Sequence, residues 1–192
     1  GETSANEAGL WHGSTDTALS ERGQRQASRV ADYLRERHAD ARAVYASPLS
    51  RARDTAGAIA SRLEIRLSLD AQLVEYDLGR WEGLPYRVLH SEMRLFDNIR
   101  QDPHYAPHGG ESPLQVSERF CAALRRIAAQ HAGERVIVVS HGGAMSLGLA
   151  HLLEGDFSRW GGVMDNCGVS ELAIEPKPEL LSFNHTAHLE GM

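Results

Sequence analysis

His141 follows a four-residue apolar run, Val136-Ile137-Val138-Val139, by one serine, and two glycines come directly after it. The run is too short for a helix and β-branched enough for a buried strand. An apolar helical pattern then runs from Ala144 to Leu153. The imidazole is thereby set at the carboxyl end of a strand, beside backbone N–H groups and a helix N-terminus that attract anions. That place suits phosphate chemistry. Strand-to-helix turns also carry glycine on steric grounds alone.

Two more groups could share such a site. Ser47-Pro48 reads as a cap and a first helical position, so Arg51 falls in the first turn. A cation there opposes the helix dipole, at a cost of roughly a few tenths of a kcal/mol. A phosphate held in the guanidinium fork would offset that cost. The plainer alternative is a solvated arginine, because among 20 basic residues only Lys177 is lysine. Glu75, Asp77 and Glu82 lie among aliphatic and aromatic residues between Leu73 and Gly83. A carboxyl partly buried there would have a raised pKa and could donate a proton. The local sequence does not choose among the three.

The elements that must position these groups alternate in type. Ser20 caps a helix that buries Ala27, Val30, Ala31 and Leu34. A strand is expected at Ala43–Ala46, a helix from Pro48 to about Leu63 and a strand at Ile65–Leu69. Leu89, Met93 and Phe96 predict one helix after Pro85, and a loop follows over Gln101–Gly110. Ser112-Pro113-Leu114-Gln115 combines a capping box with proline at the first position. The helix it opens presents Val116, Phe120, Ala123, Leu124 and Ile127 on one face. Further strands are expected near Val169–Glu175 and Leu180–Phe183. The alternation predicts an α/β class, a three-layer α/β/α sandwich with a mostly parallel central sheet, in a single domain over 1–192. Ligands in such sheets sit outside the carboxyl ends of strands, which puts Ser47–Arg51 and Ser140–Gly143 on one rim.

Composition narrows the class. A 192-residue chain of 42% hydrophobic residues supports one substantial core. The net charge of −6 argues against nucleic-acid partners. Cys121 and Cys167 are far apart and form no metal pair or disulfide framework, so a cytoplasmic location is expected. No run reaches the length of a membrane span, no signal peptide is read at the start, and no metal-binding histidine spacing occurs.

Taken together, these pieces resemble the histidine phosphatase superfamily in its phosphoglycerate mutase-like branch. Gly1-Glu2-Thr3 with Asn6 is similar to the tail of the family's Arg-His-Gly-Glu-Thr-x-x-Asn signature, and Gly13 and Asp16 keep its spacing. Ser47-Pro48-Leu49-Ser50-Arg51-Ala52 is similar to Ser-Pro-Leu-x-Arg-Ala. Glu75 through Gly83 is similar to Glu-x-x-x-Gly-x-Trp-Glu-Gly. Gly109-Gly110-Glu111-Ser112, Ser140-His141-Gly142-Gly143 and Asn184 with His188-Leu189 complete the order.

The resemblance implies a metal-independent phosphatase, without cofactor, that cleaves phosphomonoesters of small phosphorylated metabolites through a phosphohistidine. It implies Glu75 as proton donor, His141 as the second histidine on the phosphoryl oxygens, and Arg51, Asn6 and the Gly142 N–H as the phosphate cradle. His12 and Gly13 become candidate substrate contacts. The Gly-Gly-Glu-Ser loop, Trp11, Trp81, Tyr86 and Arg87 are candidates for the leaving-group side, against the plainer reading of the aromatics as core or rim packing. It also implies a homodimer. The nucleophilic histidine and its arginine would directly precede Gly1, on a strand that this sequence does not contain. We expect them upstream. Three other readings compete. A mutase usually has a longer segment than Leu84–His108. An α/β-hydrolase needs a Gly-x-Ser-x-Gly elbow, which is missing. A catalytically dead phosphate-binding relative would lack the histidine altogether.

Overall fold

The computed structural model describes residues 1–157 and 164–192. Chain order is α1 (Ser4–Glu7), α2 (Glu21–Arg37), β1 (Ala43–Ala46), α3 (Ser50–Leu63), β2 (Leu67–Leu69), α4 (Leu95–Gln101), α5 (Pro113–Gln130), β3 (Val136–Val139), α6 (Gly142–Glu154), β4 (Val169–Ala173) and β5 (Glu179–His185). Strands β2, β1 and β3 form a parallel sheet in that order, with Val44 opposite Leu67 and Ile137. β4 and β5 form a separate antiparallel pair.

Alternation along β1 and β3 builds the layers. Val44, Ala46, Ile137 and Val139 face one cluster, where Val30, Ala31 and Leu34 of α2 meet Ile59 of α3. Tyr45, Val136 and Val138 face the other, where Phe120 of α5 and Leu147 of α6 pack with Leu73, Tyr76 and Leu78. Both faces are apolar, so helices cover both. This is the expected α/β/α arrangement with a parallel centre.

Four details depart from expectation. Helix α3 starts at Ser50 rather than Pro48. Ser47 Oγ caps only Leu49 N, at 3.3 Å, while Asp16, from a distant loop, accepts from Ser50 N at 2.8 Å. The single helix predicted across Leu89, Met93 and Phe96 is instead a π-helical turn, Val88–Glu92, followed by α4. Arg94, at φ +49°, breaks the two apart. The loop expected from Gln101 consequently begins one residue later, at Asp102. Finally, β3 is only half-buried. Beyond its outer edge lies a cavity of about 1170 Å³ whose far wall is β4. No strand pairing closes that gap among the described residues.

Helices α5 and α6 pack at a point where no side chain fits. A Cβ on Gly148 would lie 2.2 Å from Phe120 Cδ1, and Cys121 Sγ donates to Gly148 O at 3.3 Å. Gly57, inside α3, has no atom within 4 Å of the same position. Opposite effects follow from one substitution. Gly57→Ala should raise the unfolding free energy, read by urea titration, by about 1 kcal/mol or less through helix propensity. Gly148→Ala should lower stability by about 1–3 kcal/mol through overpacking. A Gly148→Ala protein as stable as the parent would contradict this helix contact.

Candidate active site

Glu75 belongs to an irregular segment that leaves the 3₁₀ turn Ala71–Leu73 and runs past the end of β3. Ser140 Oγ donates to Leu73 O at 2.7 Å, tying that segment to the His141 turn. The Glu75 side chain lies on the N-terminus of α6. Oε1 accepts from Tyr76 N and Ala144 N, both at 2.7 Å, and Oε2 accepts from Gly143 N at 3.0 Å. Gly143 is glycine for this reason: a Cβ there would stand 2.7 Å from Oε1. Burial pushes the Glu75 carboxyl above its ordinary pKa, and outweighs the three N–H donors and the charge of Arg51. With two donors on Oε1 and one on Oε2, Oε2 is the oxygen with room for a proton.

His141 ends the preceding loop and is 6% exposed. Arg51 Nε donates to its Nδ1 at 3.2 Å, so Nδ1 carries the lone pair and Nε2 carries the hydrogen. That Nε2–H is buried and has no partner among the described residues. Burial lowers the His141 pKa well below the usual histidine range, and the charge of Arg51 lowers it further. The ring is therefore a neutral donor with no acceptor among the described residues.

Arg51, 7% exposed, spends its guanidinium largely on the protein. Besides His141 it donates to Thr15 O at 3.0 Å and Gly13 O at 2.8 Å, with a longer approach to His12 O at 3.4 Å. The full two-pronged fork expected for phosphate is thus partly occupied. The loop it grips is held from the far side by Glu82, which accepts from the backbone and hydroxyls of Ser14 and Thr15. Burial alone would raise the Glu82 pKa, but those donors outweigh it and hold the carboxyl below its usual value. The carboxylates the sequence left open are therefore separated: Glu75 faces the cavity, Asp77 caps Gly79 N at 2.7 Å, and Glu82 clamps a loop.

His12 also lines the cavity. Burial and the Arg51 charge pull its pKa down to about 4, so it too is neutral at pH 7. Its Nε2 pairs with Thr3 Oγ1 at 3.0 Å, and its Nδ1 has no partner among the described residues. Asn6 lines the cavity as well, with Oδ1 committed to the Thr3 capping box at 3.0 Å and its amide nitrogen left over. Gly142 begins α6 at the cavity wall. Gly13 stands apart. It packs against Tyr76, whose carbonyl would lie 2.0 Å from an added Cβ, and it does not line the cavity. Trp11 and Tyr86 stack at 6.1 Å and both line it. Trp81 packs into the core against Tyr105 and His108, while exposed Arg87 pairs with Glu92 at 3.3 Å.

Gly1 joins the same cavity, its amino group donating to Thr55 Oγ1 at 3.2 Å. Among the described residues no three His, Cys, Asp or Glu side chains converge as a metal ion would require. Sequence reasoning missed Arg119. It pairs with Glu111 at 2.6 Å and reaches the backbone at Glu75. It is not one of the apolar positions of α5, so no pattern marked it.

A family model for the histidine phosphatase superfamily (branch 1) matches residues 1–186. Phosphoserine phosphatase 1 of Hydrogenobacter thermophilus is 33% identical over 98% of this chain and 90% of that protein. Glucosyl-3-phosphoglycerate phosphatase of Mycolicibacterium vanbaalenii is 32% identical over 90% of this chain and 80% of that protein. Among solved structures, a mycobacterial glucosyl-3-phosphoglycerate phosphatase complexed with VO3 superposes with a TM-score of 0.86 at 31% identity, covering 97% of this chain and 96% of the other. A phosphoserine phosphatase of Entamoeba histolytica complexed with 3-phosphoglyceric acid gives 0.86 at 28% identity, covering 98% and 95%. A sheet rim that gathers a buried carboxyl, a neutral histidine and a buried arginine, matched along nearly its whole length by these relatives, leads to one conclusion: the chain belongs to branch 1 of the histidine phosphatase superfamily.

Proposed function

We propose that the cavity at this rim hydrolyses small-metabolite phosphomonoesters through a phosphohistidine, with Glu75 as the proton donor. The protein is a phosphoric monoester hydrolase, and relatives named for phosphoserine and for glucosyl-3-phosphoglycerate support small phosphorylated metabolites as its substrates. One observation carries the assignment of roles: a neutral imidazole N–H with no partner among the described residues lines the cavity that a buried carboxyl of raised pKa also lines.

In this reading the nucleophile is the histidine that the family signature supplies. The cavity walled by β3 and β4, whose facing edges are unpaired among the described residues, has room for the strand that bears it. The histidine nitrogen attacks phosphorus as the ester P–O bond breaks. Glu75 gives its proton to the departing alkoxide, which a poor leaving group needs most. His141 Nε2–H and the N–H groups left on Arg51, Asn6 and Gly142 hold the equatorial oxygens as charge gathers. Water then attacks the phosphohistidine, Glu75 takes its proton, and inorganic phosphate leaves. Burial, with the charge of Arg51 second, keeps both histidines neutral, so that each acts as an oriented dipole. The substrate's own charge is met by the guanidinium.

The leaving group exits past His12 and the Trp11–Tyr86 stack, and the protein works in the cytoplasm as a homodimer. No helix among the described residues is long and apolar enough to cross a membrane.

Hydrolysis of alkyl phosphates should decline as pH rises through the elevated Glu75 pKa, because the carboxyl then loses the proton it must give. Glu75→Gln should abolish that limb and cost about 10²–10⁴-fold on an alkyl phosphate, with much less on nitrophenyl phosphate. Equal losses on both would remove Glu75 from proton transfer. His141→Ala should lower kcat about 10²–10³-fold and weaken vanadate inhibition, since it deletes one preorganised donor. Unchanged vanadate affinity would place the phosphoryl group elsewhere.

A further inference from the structure

The Gly-Gly-Glu-Ser motif has no place in the chemistry above, and its glutamate does not line the cavity. Glu111 is engaged by Arg119 of α5. Nε donates to Oε1 at 2.6 Å and Nη2 to Oε2 at 2.8 Å. The same guanidinium donates to Gln72 O at 2.9 Å, Val74 O at 2.7 Å and Glu75 O at 2.9 Å. Those five bonds use all five N–H groups of an arginine. Glu111 Oε2 also accepts from Asp77 N at 3.2 Å. The pair is largely buried, at 13% and 25% side-chain exposure.

The segment from Gln72 to Asp77 belongs to no strand, so no sheet ladder fixes its height. Its backbone is held instead by this guanidinium and its partner carboxylate, together with Ser140 Oγ on Leu73 O and Glu111 N on Asp77 O. The glycines of the motif let the two segments approach: a Cβ on Gly110 would lie 2.1 Å from Asp77 O, and one on Gly79 would lie 2.5 Å from His108 O. Glu75 is consequently held at both ends. Its carbonyl is tied to α5 through Arg119 and its carboxyl to α6 through Gly143 and Ala144, while α5 and α6 are locked together at Phe120 and Gly148.

We propose that Arg119, braced by Glu111, is a positioning residue that sets the Glu75 carboxyl against α6 and toward the leaving oxygen. It does not line the cavity and touches no reacting atom. Arginine is required for its geometry. A lysine keeps the charge but has three donors and no planar fork, and cannot hold three carbonyls and a carboxylate together. The inference rests on the reading of Glu75 as proton donor.

The test uses the full-length protein with substituted phenyl phosphates of graded leaving-group pKa, comparing Arg119→Lys, Glu111→Gln and Glu75→Gln. Arg119→Lys should leave nitrophenyl phosphate turnover nearly intact yet cost about tenfold or more on the poorest leaving group, steepening the dependence on leaving-group pKa. Glu111→Gln should act in the same direction. Adding Arg119→Lys to Glu75→Gln should cost nothing further on the poor substrates, because both act through one proton. A uniform loss across the series, or losses that multiply in the double variant, would reduce Arg119 to a structural brace and overturn the proposal. The two readings fail differently. Should Glu75→Gln itself show no leaving-group dependence, the proton-donor role falls and this proposal with it. A dependence present in Glu75→Gln but absent in Arg119→Lys defeats the positioning role alone. Arg119→Met serves as the check on folding, read by its thermal midpoint.

Discussion

A carboxyl group held out of water on the N-terminus of a helix governs this site. Glu75 takes the two N–H groups, of Gly143 and Ala144, that an anionic ligand would otherwise meet at the start of α6. The turn therefore serves a proton before it serves a phosphate. The consequences spread outward. Gly143 tolerates no side chain, Ser140 ties its hydroxyl to the Leu73 carbonyl, and the segment carrying Glu75 is fixed by a guanidinium rather than by strand pairing. Burial and hydrogen bonding pull the carboxyl in opposite directions, and burial prevails.

Across the cavity, Arg51 resolves an electrostatic conflict. The chain is acidic overall at −6, yet its site must attract a dianion. One buried guanidinium, gripping the carbonyls of the loop from His12 to Thr15, concentrates positive charge at the rim. Burial disfavours protonation of His12 and His141, and the same charge adds to the effect. Positive charge is thus confined to a group that cannot lose it, while the imidazoles contribute direction. Glu82 and Asp16 secure the loop and the start of α3, and so keep that geometry without entering it.

Much of this was legible in the chain because the signals were local. A β-branched run gave β3, the short segment Ala43–Ala46 gave β1, the Ser112-Pro113 box gave the start of α5, and helical spacing gave the buried face of α2. His141 and Arg51 were placed at one rim because parallel topology sends the loops after β1 and β3 to the same side, and Glu75, after the parallel β2, joins them there. What escaped was non-local. Asp16 capping α3, Glu82 clamping Ser14 and Thr15, and Arg119 bracing Glu75 each join residues more than thirty positions apart. The helix expected after Pro85 failed for a backbone reason, a left-handed Arg94 that apolar spacing does not encode. A steric role for glycine in the His141 turn was legible, but not which groups crowd Gly143 and Gly110, the Glu75 carboxyl and the Asp77 carbonyl.

Isotope-edited infrared titration of Glu75, with the Glu75→Gln protein as the subtraction, reads the governing carboxyl directly. The protonated carbonyl band should persist to higher pH than the bands of ordinary glutamates, which ionise at about 4.3. A band that vanishes with the surface carboxylates would mean that Glu75 holds no proton to give, and the account of this site would be wrong.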